Sequence, residues 1–213
     1  MTRVTVLSHR DVAHELGNLG TWIDARGWTL DRVFREDAPV VPDTDALIVL
    51  GSPTSVASGF CAPPAEHEIE WVAEWVASDR PFLGICFGAQ VLARVHGGSV
   101  TRMNHTHRSF GTFADVAHES LRGSWAVWHE DAITAPPSAR PLATMAHAHA
   151  AFRVGSAWGV QPHIEFTADI VERLARSFGV ADEKWRSLWA ELRGAEDDHR
   201  DRAHALLDRV FGA

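Results

Sequence analysis

The sequence predicts a three-layer α/β fold, a mostly parallel sheet with helices on both faces. Three observations carry that expectation. Apolar runs of strand length recur at residues 4–7 (VTVL), 46–50 (ALIVL) and 81–86 (PFLGIC), each too short for a helix. Helical stretches alternate with them, and Gly, Pro or polar residues end each run.

In chain order, the strand at 4–7 is followed by a helix over 17–26 that closes at Gly27, and a second strand spans 29–34. With the 46–50 strand this gives β-α-β-β. Pro63 and Pro64 then open a helix whose apolar residues Ile69, Val72, Ala73 and Val76 recur at i, i+3, i+4 and i+7, while Glu66, Glu70 and Glu74 face elsewhere. The run at 81–86 leads through a sharp turn into a helix over 88–96, stopped by Gly97-Gly98. Residues 99–161 read as short extra strands with Pro-rich turns.

Beyond Thr167 three amphipathic stretches follow, carried by Ile170, Val171, Leu174 and Phe178, by Trp185, Leu188, Trp189 and Leu192, and by Ala203, Leu206, Leu207 and Val210. Charged residues between these positions read as solvated helix faces. With 213 residues, 46% of them hydrophobic, and no visible linker, residues 1–213 are expected to form a single domain with a helical extension at about 168–213.

Composition excludes several function classes. A net charge of −8, with Lys184 the single lysine and the arginines dispersed among acids, opposes binding to phosphate backbones, so nucleic acid is not an expected partner. No apolar run reaches the roughly 20 residues of a membrane helix, and the opening MTRVTVLSHR lacks the apolar core of a secretion signal. No membrane partner is expected, and the expected location is cytoplasmic. Two cysteines, Cys61 and Cys86, do not make a disulfide framework; in a reducing compartment a cysteine among glycines is a candidate nucleophile.

Cys86 lies in Gly84-Ile85-Cys86-Phe87-Gly88, the G-x-nucleophile-x-G pattern of an elbow between strand and helix. The glycines leave room for neighbouring backbone, and a helix N-terminus favours a thiolate. A buried structural cysteine fits the pentapeptide as well. A second motif, Gly159-Val160-Gln161-Pro162-His163-Ile164-Glu165-Phe166, follows an apolar strand with His and Glu two residues apart, which period-two geometry puts on one side. A thiol nucleophile needs a base, and the base a carboxylate to fix its tautomer. Cys86, His163 and Glu165 fit those roles.

GICFGAQ at 84–90 and GVQPHIEF at 159–166 resemble the glutaminase domains of class I glutamine amidotransferases, most nearly the stand-alone, GMP synthase-like members. VLGSPTSV at 49–56 is similar to that family's Gly-Gly-Pro loop and WHED at 128–131 to its Ser/Trp-His-x-Asp segment, so the resemblance runs from residue 3 to roughly 178. It implies a flavodoxin-like sheet and a Cys86-His163-Glu165 triad that cleaves the glutamine side-chain amide through a thioester. It also implies an oxyanion hole from the Phe87 and Ser52 N–H groups next to Gly51. Gln90 would hold the glutamine α-substituents, and His129 and Asp131 would contact substrate or shape a loop. No cofactor is implied; no ATP-binding P-loop is seen, so a synthetase partner in trans, or none, is implied as the receiver of ammonia.

Two departures stand out: Ser52 replaces the second glycine of the loop, and proline precedes the histidine, at Pro162, instead of following it. Proline at that position is expected to shift the setting of His163. The same triad would also serve a stand-alone γ-glutamyl hydrolase or peptidase, and a catalytically silent interaction module is a third reading. Related flavodoxin-like hydrolases of the intracellular-protease type carry histidine directly after the elbow cysteine, where Phe87 stands here. The pairs His105/His107 and His147/His149 could bind a metal, but solvated loop histidines are the expected reading, with no metal site.

Overall fold

A computed structural model describes residues 1–37, 40, 43–61 and 63–212 of the chain. The elements are β1 (Arg3–Ser8), α1 (Gly17–Ala25), β2 (Thr29–Phe34), β3 (Ala46–Val49), α2 (Pro63–Ala77), β4 (Phe82–Ile85), α3 (Phe87–Val95), β5 (Ser99–Gly111), β6 (Trp125–Thr134), β7 (Arg140–Met145), β8 (Ala148–Val154), β9 (Ala157–Val160), α4 (Ala168–Ser177), α5 (Arg186–Gly194) and α6 (Glu196–Phe211). Every strand and helix expected up to residue 97 is present, with ends moved by a residue or two.

Seven strands form one sheet in the order β2-β1-β3-β4-β9-β8-β7. The first five run parallel, and β8 and β7 extend the sheet antiparallel. Side-chain alternation assigns each strand's residues to two cores. Val4 and Val6, Ala46 and Ile48, and Leu83 and Ile85 pack with α1 and α6 on one face, while Leu7, Leu47, Val49 and Phe82 pack with α2 and α3 on the other. Parallel strands covered on both faces are why these runs read as continuously apolar.

Several details differ from expectation. On α2 the buried residues are Ala65, Glu68, Trp71, Val72 and Trp75, whereas Ile69 and Val76 are only partly buried. Two indoles and a paired carboxylate turn the helix away from its simplest apolar stripe. Phe178 caps α4 and is 42% exposed, so it is not part of the buried face of Ile170, Val171 and Leu174. Residues 99–134 do not make short sheet strands. β5 has 13 residues and pairs with β6 as a separate antiparallel ribbon whose register slips between Arg102 and His107. The inner residue Ala126 of that ribbon joins Phe166, α4, Trp185 and α5 in a third apolar cluster. Among the described residues no helix is long and apolar enough to cross a membrane.

Candidate functional site

The elbow forms as the glycine spacing requires. Cys86 sits between β4 and α3 with φ 51° and ψ −103°, a strained conformation for a residue with a side chain. A Cβ on Gly84 would lie 2.4 Å from the Gly88 carbonyl carbon, and one on Gly88 would lie 2.2 Å from the Val49 oxygen. Neither contact is tolerable, so strand, turn and helix close only with glycine at both places. The backbone is pinned by Cys86 N–H donating to Val160 O at 2.8 Å and Gln90 N–H to Cys86 O at 3.0 Å.

Opposite the elbow lies the turn that follows β9. His163 and Glu165 are not on a strand, which ends at Val160; their side chains meet because the turn folds them together. His163 Nδ1 is 2.7 Å from Glu165 Oε1, and both groups are buried. Burial by itself would lower the His163 pKa, but the Glu165 carboxylate and the Cys86 sulfur outweigh it and hold the imidazole well above its ordinary value. His163 Nε2 lies 3.2 Å from the Trp128 carbonyl, which also accepts from Cys86 Sγ at 3.7 Å. Pro162 thus does not displace His163 from its carboxylate.

The turn is braced from a distance. Asn18 N–H donates to Glu165 O at 3.1 Å, and its side-chain amide donates to Ile164 O and Phe166 O at 3.1 and 3.0 Å. That amide also lies 3.1 Å from Nδ1 of His199, a buried residue of α6. Burial first, then the Arg202 charge, lowers the His199 pKa to about 4, so the imidazole is neutral and accepts.

The third segment is the loop at 50–54. Gly51 faces His163, whose Cε1 would lie 2.9 Å from an added Cβ. Arg35 donates to Leu50 O and Gly51 O at 2.8 and 3.1 Å while pairing with the two Glu68 oxygens at 2.8 and 3.0 Å, so this buried ion pair is hydrogen-bonded throughout. The Ser52 hydroxyl lies 2.8 Å from His9 Nε2, whose Nδ1 is 2.7 Å from Glu36, and it accepts from Thr54 N–H at 3.1 Å. Neither the Ser52 nor the Phe87 N–H has an acceptor among the described residues. Arg35, Glu68, His9 and Asn18 carry no sequence motif; each reaches the site from a distant segment.

Cys86, Gly51, Ser52, Gln90, His129, Asp131, His163 and Glu165 all line one cavity of about 230 Å³; Cys61 does not. Gln90 is buried one helical turn beyond Cys86, not a surface amide. His129 gives Nδ1–H to Asp131 O at 2.7 Å and sets Nε2 3.3 Å from His147 Nε2. Burial lowers its pKa to about 4. Asp131 accepts from the Ser55 hydroxyl. The solvated-loop expectation fails for two histidines: His107 lies on β5 and packs on His129 and His147, and His149, on β8, accepts at Nδ1 from Ala135 N–H, whereas His147 is exposed in the turn before β8. Among the described residues no three or more His, Cys, Asp or Glu converge to hold a metal ion. Gln161, which no motif role had marked, is fully buried and donates to Cys86 Sγ at 3.5 Å.

A buried thiol at a strained elbow, facing a His–Glu pair across a cavity with two free backbone donors, has the geometry that acyl transfer by a cysteine nucleophile requires. Residues 9–171 match the family model "Glutamine amidotransferase class-I", and the chain belongs to that family. Curated relatives include a glutamine-hydrolyzing GMP synthase from Thermus thermophilus, 34% identical over 56% of this chain and 24% of its own length. Another is a glutamine-hydrolyzing GMP synthase subunit from Halobacterium salinarum, 31% identical over 54% of this chain and 60% of its own. The chain thus spans about a quarter of the first relative's length. In fold it is similar to a glutamine amidotransferase from Thermotoga maritima, with a TM-score of 0.85, 23% identity and coverage of 100% and 99% of the two chains.

Proposed function

We propose that the chain hydrolyses the side-chain amide of glutamine through a thioester on Cys86 and hands the ammonia to a separate synthetase. The observation that carries this reading is the His163–Glu165 pair at 2.7 Å, facing Cys86 across the shared Trp128 carbonyl. With its pKa raised, His163 is protonated beside the sulfur. Sulfur attacks the amide carbon, His163 passes its proton to the departing nitrogen, and ammonia leaves. Water then attacks the thioester with His163 accepting its proton, and glutamate is released with the thiol pair restored. The negative oxygen formed in each step is received by the N–H groups of Phe87, at the start of α3, and Ser52; one such donor is typically worth about 10² to 10³ in rate.

Delivery to a partner is supported by the family and by the relative named as a subunit of GMP synthase. Glutamate and ammonia released from glutamine by the purified chain test the reaction. A diazoketone analogue of glutamine is expected to label Cys86; labelling at Cys61 overturns the assignment. Rapid cleavage of another γ-glutamyl metabolite by the chain alone, with glutamine left untouched, would replace the partner-dependent reading by that of a stand-alone γ-glutamyl hydrolase.

A further inference from the structure

The exposed arginines fall into two sets. Most face a carboxylate, as Arg3 does Asp31, Arg122 does Glu119 and Arg176 does Glu172. Among the described residues, Arg140, Arg153 and Arg209 alone of the exposed arginines have no carboxylate partner. These three also lie together. Arg140 of β7 and Arg153 of β8 are directly opposite in the antiparallel register, so their side chains leave one face of the sheet. Arg153 is in turn opposite Trp158 of β9, and its guanidinium carbon lies 5.8 Å from the centre of that ring. The Trp158 ring meets His118 edge-on at 6.0 Å, and Arg209 of α6 donates Nε–H to His118 Nε2 at 2.9 Å.

The row does not come from a shortage of acid. The chain holds 28 Asp and Glu against 20 Lys and Arg, for a net charge of −8. Neighbouring carboxylates are engaged elsewhere: Asp208, next to Arg209, takes Arg26 and the Trp22 indole N–H, and Glu119 pairs with Arg122 at 3.3 Å. Like charges directly opposite across a strand pair repel, so Arg140 and Arg153 stand at a cost that an added anion would relieve. The patch is also at the other end of the sheet from the elbow. Phe82, which opens β4, pairs with Ala157, which opens β9, whereas Cys86 follows the last residue of β4 and bonds to Val160 at the end of β9. Arg140 opens β7 and Arg153 stands next to the last residue of β8, so both lie at the Ala157 end. None of these residues lines the catalytic cavity.

We propose that Arg140, Arg153 and Arg209 form a docking surface for a carboxylate-rich segment of a partner protein, seated at the end of the sheet away from Cys86. The indole and the imidazole stand between Arg153 and Arg209, so the charges make a row and do not close on one anion. A row fits successive carboxylates. Trp158 is itself buried, which leaves no exposed ring for a nucleobase to stack on. A partner bound there leaves the cavity open to substrate.

The probe is a fluorescein-labelled octaglutamate peptide, followed by anisotropy at low salt, where exposed charges are least screened. The native chain is expected to bind it despite its own negative charge. Arg140→Gln, Arg153→Gln and Arg209→Gln together are expected to weaken binding about 10- to 100-fold, and each alone severalfold, the scale of exposed charge pairs. A control makes the same change of net charge at paired arginines, with Arg3→Gln, Arg176→Gln and Arg186→Gln, and is expected to keep the native affinity. No binding by the native chain, or equal losses in the two triple variants, overturns the docking surface. So does tighter binding of tripolyphosphate or duplex DNA than of the peptide, since the occupant is then a phosphate. Ammonia release from glutamine is expected to be the same in the Arg140, Arg153, Arg209 triple variant as in the native chain. A parallel loss of that activity would overturn the separation of this surface from the cavity.

Discussion

The two sides of the cavity are built by different means. On the nucleophile side, residues 84–88 are held by backbone: a positive-φ cysteine, glycines that admit strand and helix to close approach, and a main-chain bond to β9. On the base side, residues 161–166 form a turn held by side chains from elsewhere, with Asn18 from α1 and His199 from α6 meeting beneath it. Backbone constraints write themselves into local sequence as glycines at fixed spacing. Side-chain bracing leaves no local pattern, because its partners lie more than a hundred residues apart.

The largest expected effect tests whether the base side is as indispensable as the nucleophile. His163→Ala is expected to lower kcat/KM for glutamine by about 10³ or more, within reach of what a positioned acid–base group contributes. Glu165→Gln should lose less, roughly 10- to 100-fold, because the imidazole remains. It should also move the alkaline limb of the pH profile to lower pH: Glu165 is the main group raising the His163 pKa, and without it the proton needed by the leaving nitrogen is lost sooner. A Glu165→Gln profile that keeps its alkaline limb would detach the carboxylate from that role.

That contrast also explains how much of the molecule is legible in its sequence. Strands and helices up to residue 97 are legible because buried parallel strands are short, uniformly apolar and punctuated. Cys86, His163 and Glu165 are legible as two motifs, although His163 and Glu165 meet in a turn and not along a strand. The ribbon is not: β5 carries Thr101, Arg102, His105 and Arg108 with little alternation, because Arg102, Thr106 and Arg108 line the cavity while Thr101 and His105 are exposed, and neither set faces an apolar core. Arg35 and Glu68 are invisible for a related reason. Charged residues on helices and loops usually face solvent, and only the folded chain shows this pair buried under the Gly51 loop.

The bracing of the base side predicts a pH-dependent stability of moderate size. The His199 pKa is about 4 in the folded chain against an ordinary 6.5, so the unfolded chain binds more protons between those values. Stability is therefore full above about pH 6.5 and falls as pH drops toward 4, by about 3 kcal/mol from this residue. His129, lowered by burial to about 4 as well, adds a similar loss. Urea midpoints measured from pH 7 to 4.5 should fall steeply in the native chain and roughly half as steeply in His199→Gln, which keeps an amide to meet Asn18. Parallel curves would show that α6 does not brace the turn through this histidine.

The smallest expected effect lies at Ser52, in the loop beside the elbow, which side chains hold as they hold the turn at 161–166. Its hydroxyl joins His9, Glu36 and the Thr54 amide, while Arg35 independently holds the Leu50 and Gly51 carbonyls. If Arg35 does most of the holding, removing the hydroxyl costs little. Ser52→Ala and His9→Ala should each lower glutamine turnover by less than about tenfold, the worth of one neutral hydrogen bond, and the double variant should lose no more than either alone because both break the same link. Additive losses would show that His9 acts by another route. Ser52→Gly separates two uses of the loop. A modest loss means that the Ser52 N–H already faces the reacting oxygen and the serine link only steadies it. A rise in turnover means that the link holds the N–H away, as a chain awaiting a synthetase would require, with partner docking at residues 51–56 selecting the turned conformation. Ammonia release assayed side by side for Ser52→Ala, Ser52→Gly and the native chain decides between them, since only a loop held in the wrong conformation gains from glycine.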